Sequence, residues 1–129
     1  MKNGILNFLI VGTGGFLGSI GRYLLSGAVY KIFSESSFPH GTVVVNILGC
    51  FLIGFISGLV ELRQLLSPEA RLFVLIGFLG GFTTFSTFGY ETISLLKNGE
   101  FFFASINILI QVIAGLTAVW LGYSLTRYF

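Results

Sequence analysis

Long apolar stretches alternate with short polar ones along the chain, and four of the apolar stretches, residues 5–30, 43–60, 72–96 and 101–125, stand out. Each is close to or above the roughly 20 residues a helix needs to cross a hydrocarbon core about 30 Å thick. The pattern predicts four transmembrane helices in one all-α membrane domain covering residues 1–129. The polar stretches between them are short, which suits antiparallel neighbours with no extramembrane domain. Residues 34–41 join spans one and two, and residues 61–71 join two and three, with Ser67-Pro68-Glu69 written as a cap and a proline at a helix start. Lys97-Asn98-Gly99-Glu100 is a tight turn before the fourth span. No internal repeat or low-complexity tract appears, so neither a solenoid nor a disordered tail is expected.

Composition adds the solvent: 54% of the residues are hydrophobic and only 9% charged, so the bilayer is the expected medium and no nucleic-acid partner is implied. Nothing before Ile5 resembles a basic leader, and no small-residue cleavage site follows, so the first span is expected to be retained. Cys50, the one cysteine, excludes an intrachain disulfide and reads as a small packing residue in span two. Lys2, Arg63, Arg71 and Arg127 fall on one side, Lys31 and Lys97 on the other, a weak positive-inside bias with Arg22 left out of the count. That near-balance allows insertion in both orientations and pairing with an inverted copy; one fixed orientation with cytoplasmic termini fits the charges equally well. Four helices hardly shelter a polar pathway alone, which also points to oligomerisation.

Function is sought in the polar groups inside the spans, because in lipid each needs a partner or a wet cavity. Thr42 and Asn46 share one face of span two, and Asn107 and Gln111 repeat the spacing in span four. Glu91 lies in the third span and Arg22 late in the first. Hydroxyls and amides dominate, with no acidic pair or mid-membrane histidine, which argues against a proton-coupled pump. No nucleophile stands beside a base and no set of metal ligands is apparent, which argues against an enzyme. His40 reads as an interfacial loop residue. Neutral donors suit an anion that must shed water and still leave. Phe85 and Phe88, three apart on one helical face, offer positively polarised ring edges to the same ion, or simply pack. The glycines Gly77, Gly80 and Gly81 ahead of Thr83 and Thr84 leave two readings open. The third helix breaks near the middle of the membrane and frees the carbonyls of Gly80 and Thr83 for a hard cation, or the small residues serve close helix packing.

Three blocks, Gly14 to Tyr23, Gly41 to Gly54 and Gly77 to Phe88 with its Gly-Gly-Phe-Thr-Thr-Phe-Ser-Thr-Phe run, resemble the signatures of the Fluc/CrcB fluoride channel family, in order and over essentially the whole chain. The resemblance implies a passive, fluoride-selective channel in a prokaryotic inner membrane that exports cytoplasmic fluoride. It implies an antiparallel, dual-topology homodimer with two pathways, and a structural sodium ion at its centre on the carbonyls of Gly80 and Thr83. By position, Phe85 and Phe88 match the pathway phenylalanines, Asn46 the pore asparagine, and Ser86, Thr87 and Thr42 the hydroxyl positions. Arg22 matches a first-span arginine that either draws anions to the mouth or snorkels and caps, and Glu91 an acidic position that orders the vestibule or pairs with a cation. Asn107 and Gln111 stand where the likeness is loosest, as pathway donors or as interhelical glue.

Hydrogen fluoride that enters neutral ionises in a more alkaline cytoplasm and is trapped. A passive anion leak empties the cell, given an inside-negative potential worth about 2.3 kcal/mol per charge at 100 mV. The rival from another class, a small multidrug-type transporter of organic cations, needs an acidic residue deep in span one, where only Arg22 carries charge before Lys31. A third reading, an assembly subunit whose polar groups only join helices, predicts no ion flux.

Overall fold

A computed structural model describes residues 2–129, with side chains from Gly4 onward; the Lys2 side chain, counted above among the charges, lies outside the described residues. All regular structure among them is helical. α1 (Lys2–Ile32) and α2 (His40–Arg63) are continuous. The third span is composite: α3 (Pro68–Arg71), a π-helical stretch over Leu72–Phe78, α4 (Leu79–Phe82) and α5 (Phe85–Lys97). The fourth runs as α6 (Phe101–Leu109), a second π-helical stretch at Ile110–Ala114, α7 (Gly115–Leu125) and a closing 3₁₀ turn. Four helices, Gly4–Ile32, His40–Arg63, Pro68–Lys97 and Phe101–Tyr128, are long and apolar enough to cross a membrane.

These helices overrun the apolar stretches, most clearly where the third begins at Pro68 rather than Leu72. Caps explain the difference. Ser67 Oγ accepts from the Ala70 N–H at 3.2 Å and Pro68 takes the first helical position, where its missing N–H costs nothing. At the far end Gly99, at φ 77°, lets its own N–H reach Leu96 O and that of Glu100 reach Leu95 O, closing α5 in a Schellman turn. His40 is the first residue of α2 and not part of the loop, its ring stacked on Phe33 with centroids 4.2 Å apart.

Lipid gives helices no hydrophobic reason to associate, so contact depends on close approach or on hydrogen bonds. α1 meets the first half of the third span backbone to backbone: a Cβ on Gly14 would stand 2.5 Å from Phe73 O, and one on Gly81 2.5 Å from Gly15 O. α2 lies along α7 in the same way, where a Cβ on Gly122 would sit 2.8 Å from Phe55 N. At one end of that pair Tyr123 Oη donates to Glu61 Oε2 at 3.0 Å. Phe8, Phe16, Tyr23 and Trp120 are among the large apolar side chains left facing outward, as a lipid-facing surface requires.

Candidate functional site

The polar side chains converge where α2, the third span and the fourth span meet. Thr83 and Thr84 have extended backbone, φ/ψ −83°/158° and −151°/113°, between α4 and α5. The extended pair has a chemical consequence. The N–H of Thr84, which in a continuous helix would bond the carbonyl of Gly80, donates instead to Asn46 Oδ1 at 2.8 Å. The N–H of Thr87, which would bond the carbonyl of Thr83, donates to the capping hydroxyl of Thr84 at 3.2 Å. The carbonyls of Gly80, Gly81, Phe82 and Thr83 all lose their helical donors here, those of Gly80 and Thr83 among them. The space around Gly80 is open, with no atom within 4 Å of a Cβ added there, whereas Gly77 and Gly81 press on α1. Close packing accounts for Gly77 and Gly81 and leaves Gly80 unexplained within one chain.

Two clefts adjoin this point, and Thr84 lines both. The first, ≈ 390 Å³, is walled by Arg22, Ser26, Tyr30, Thr42, Thr87 and Glu91. In it Glu91 Oε1 accepts from Thr42 Oγ1 at 2.7 Å and from Tyr30 Oη at 3.1 Å, while Oε2 is buried without a partner. Thr84 Oγ1 donates to Thr87 Oγ1 at 2.9 Å and lies 3.4 Å from Ser86 Oγ. Having accepted that bond, Thr87 keeps its own hydroxyl proton available on the wall of the cleft.

The second cleft, ≈ 330 Å³, is lined by Asn46, Cys50, Gly80, Thr83, Phe85, Phe88 and Gln111 among others. Phe85 is 81% exposed, its ring 5.3 Å from that of Phe88 at an interplanar angle of 59°. Asn46 Nδ2 donates to Thr84 O at 3.0 Å and to Gln111 Oε1 at 2.6 Å. Gln111 Nε2 donates to Asn107 Oδ1 at 3.0 Å, Asn107 Nδ2 to Thr92 Oγ1 at 2.9 Å, and Thr92 Oγ1 to Phe88 O at 2.8 Å.

The sequence candidates thus fall into two groups. Arg22, Thr42, Thr87 and Glu91 meet in the first cleft, and Asn46, Phe85, Phe88, Gln111, Gly80 and Thr83 in the second. Ser86 is exposed at the start of α5, and Asn107, 0% exposed, stands behind Gln111 rather than in either cleft. Three residues of the network were not among the candidates: Tyr30, Thr84 and Thr92. Thr84 carried a signal, since it sits in the glycine and threonine run and precedes a helix by one residue. Tyr30 reads as an ordinary interfacial aromatic and Thr92 as a helix hydroxyl, and only the tertiary fold recruits them.

The fold and site define a small four-span helical membrane protein whose hydrogen-bonding side chains are gathered beside an extended pair of threonines. The chain belongs to the CrcB family: the family described as "CrcB-like protein, Camphor Resistance (CrcB)" matches residues 9–123. It is similar to a fluoride-specific ion channel FluC of Geotalea daltonii, 49% identical over 120 residues that make up 93% of this chain and 96% of the relative. A protein of the same name from Chlorobaculum tepidum is 50% identical over 121 residues, 94% of each chain. Another, from Geobacter sulfurreducens, is 49% identical over 119 residues, 92% of this chain and 95% of the relative.

Proposed function

We propose that this protein is a passive fluoride channel of a prokaryotic inner membrane, relieving fluoride toxicity by letting the anion run out of the cell. The observation that carries the reading is the second cleft, which the rings of Phe85 and Phe88 and the amides of Asn46 and Gln111 line together; the names of the relatives supply the ion. A small anion leaving water needs donors that hold it weakly enough to release it, and amides, hydroxyls and ring edges do so where a fixed cation would bind too long. Thr42, Ser86 and Thr87 extend the hydroxyl set towards the first cleft. Arg22 raises the local anion concentration at its mouth, and Glu91, held by Tyr30 and Thr42, orders its wall.

The functional unit in this reading is an antiparallel, dual-topology homodimer in lipid, with one pathway on each side. The open space at Gly80 supports it, and so do the carbonyls left without helical donors before the extended threonines, because a second inverted copy would bring those of Gly80 and Thr83 together twice over. Oxygen ligands of that kind suit a hard monovalent cation such as sodium. Bound there, sodium would neutralise the carbonyl ends and hold the two copies together, as a structural ion that is not transported.

The test is efflux from liposomes carrying the purified protein, with fluoride and chloride electrodes read side by side and a potassium ionophore clamping the voltage. Rapid fluoride loss with chloride retained is the expected outcome; retention of fluoride by well-folded protein would overturn the reading. Phe88→Ile is expected to leave folding and dimerisation intact while fluoride flux collapses, and unchanged flux would reduce the ring pair to packing. Replacing sodium by a large organic cation is expected to lower dimer stability or flux, and indifference would remove sodium from the account.

A further inference from the structure

The hydrogen bonds of the second cleft form a chain with a fixed direction, and that direction separates residues that meet the ion from residues that aim them. The inference rests on the channel reading above. A backbone N–H can only donate, so Thr84 N–H must face Asn46 Oδ1. Asn46 then presents its amino group to Thr84 O and to Gln111, which must answer with Oε1. Gln111 therefore turns Nε2 to Asn107 Oδ1, and Asn107 turns Nδ2 to Thr92 Oγ1. Thr92, having accepted, spends its proton on the carbonyl of Phe88. The far end agrees with the near end, because a carbonyl can only accept. Each amide orientation is thus set by main-chain groups at the two ends of the chain rather than by either amide alone.

Counting hydrogens then assigns roles. Both hydrogens of Asn46 Nδ2 are committed, one to Thr84 O and one to Gln111 Oε1. Asn107 is completely buried and lines neither cleft. Gln111 Nε2 has two hydrogens and gives one to Asn107, which leaves one N–H uncommitted on a residue that shares its cleft with Phe85 and Phe88. We propose that Gln111 supplies the amide hydrogen that meets the dehydrated anion in this chain, and that Asn46, Asn107 and Thr92 are positioning residues that point it there. Without the chain, Gln111 could turn its oxygen to the anion and repel it.

Thr92 offers the sharpest test, since it lies away from both clefts and has a near-isosteric replacement. Thr92→Val removes the acceptor that orients Asn107, whereas Thr92→Ser keeps it. In the liposome assay Thr92→Val is expected to cut fluoride flux about tenfold and Thr92→Ser to stay within about twofold of the parent. Gln111→Met should cost about a hundredfold, the scale of a lost hydrogen bond to a charge, and adding Thr92→Val to it should change nothing further. If the parent conducts and Thr92→Val conducts equally well, or if the two losses add, the inference fails while the channel reading survives. A parent that does not conduct overturns both. A measurement on the unaltered protein guards against misfolded variants. Gln64 and Gln111 are its two glutamines, and fluoride added to ¹⁵N-glutamine-labelled protein in micelles should move the side-chain signal of Gln111 and leave that of Gln64. Movement of both or of neither would overturn the assignment.

Discussion

Two seams hold the third span, and they solve the same problem by opposite means. On one side Gly14, Gly77 and Gly81 bring α1 and the first half of the third span into direct backbone contact. On the other, Asn46, Thr84, Gln111, Asn107 and Thr92 tie α2, α5 and the fourth span through five linked residues. In lipid both routes work, closeness through dispersion and polarity through bonds that have no water to compete with them. The difference lies in what each seam tolerates. The glycine seam depends on size and is indifferent to polarity, and the amide seam depends on polarity and has room beside it.

The largest effect expected from breaking this contrast comes from Gly81→Val, which drives a branched side chain into Gly15 O. A destabilisation of about 3 kcal/mol is expected, seen as loss of the monodisperse peak on gel filtration in mild detergent. A normal peak would mean that the seam is looser than the distances state. Asn46→Leu should come next, at about 2 kcal/mol, because it strands the N–H of Thr84 and the oxygen of Gln111. Its thermal midpoint should fall and its fluoride flux vanish together, and a variant that keeps its midpoint would show that water replaces the amide. Gly80→Ala sharpens the comparison from the open side: a change within about 1 kcal/mol is expected for the separate chain. A fall in its sodium dependence with the chain still folded would place the second copy against Gly80. Smallest of all, Tyr123→Phe removes an exposed bond to Glu61 and should leave both midpoint and flux within the scatter of repeat measurements.

The spans were readable because hydrophobic length maps directly onto bilayer thickness, and Ser67-Pro68-Glu69 also marked where the third helix starts, ahead of its apolar stretch. The polar residues were readable as a set, since Thr42, Asn46, Glu91, Asn107 and Gln111 are costly in lipid unless used. Their partition was not. Spacing puts Asn107 and Gln111 on one face, but nothing in the sequence says that Asn107 lies wholly buried behind Gln111. The π-helical turn at Ile110–Ala114, which carries Gln111, also leaves no trace in composition, although such turns recur at functional positions. Tyr30 and Thr92 stayed hidden because their roles depend entirely on what faces them.

The extended threonines also bear on how the chain is made. At about 1.5 Å per residue, residues 68–82 reach about 22 Å and residues 85–97 about 20 Å, and neither crosses a core of about 30 Å. A ribosome that has delivered only the first of these pieces offers the insertion machinery a segment too short to stay in the bilayer by hydrophobicity alone. The glycine face of α1, which precedes it in the chain, lies in backbone contact with that short piece, so α1 is in place to receive it before the remainder is translated.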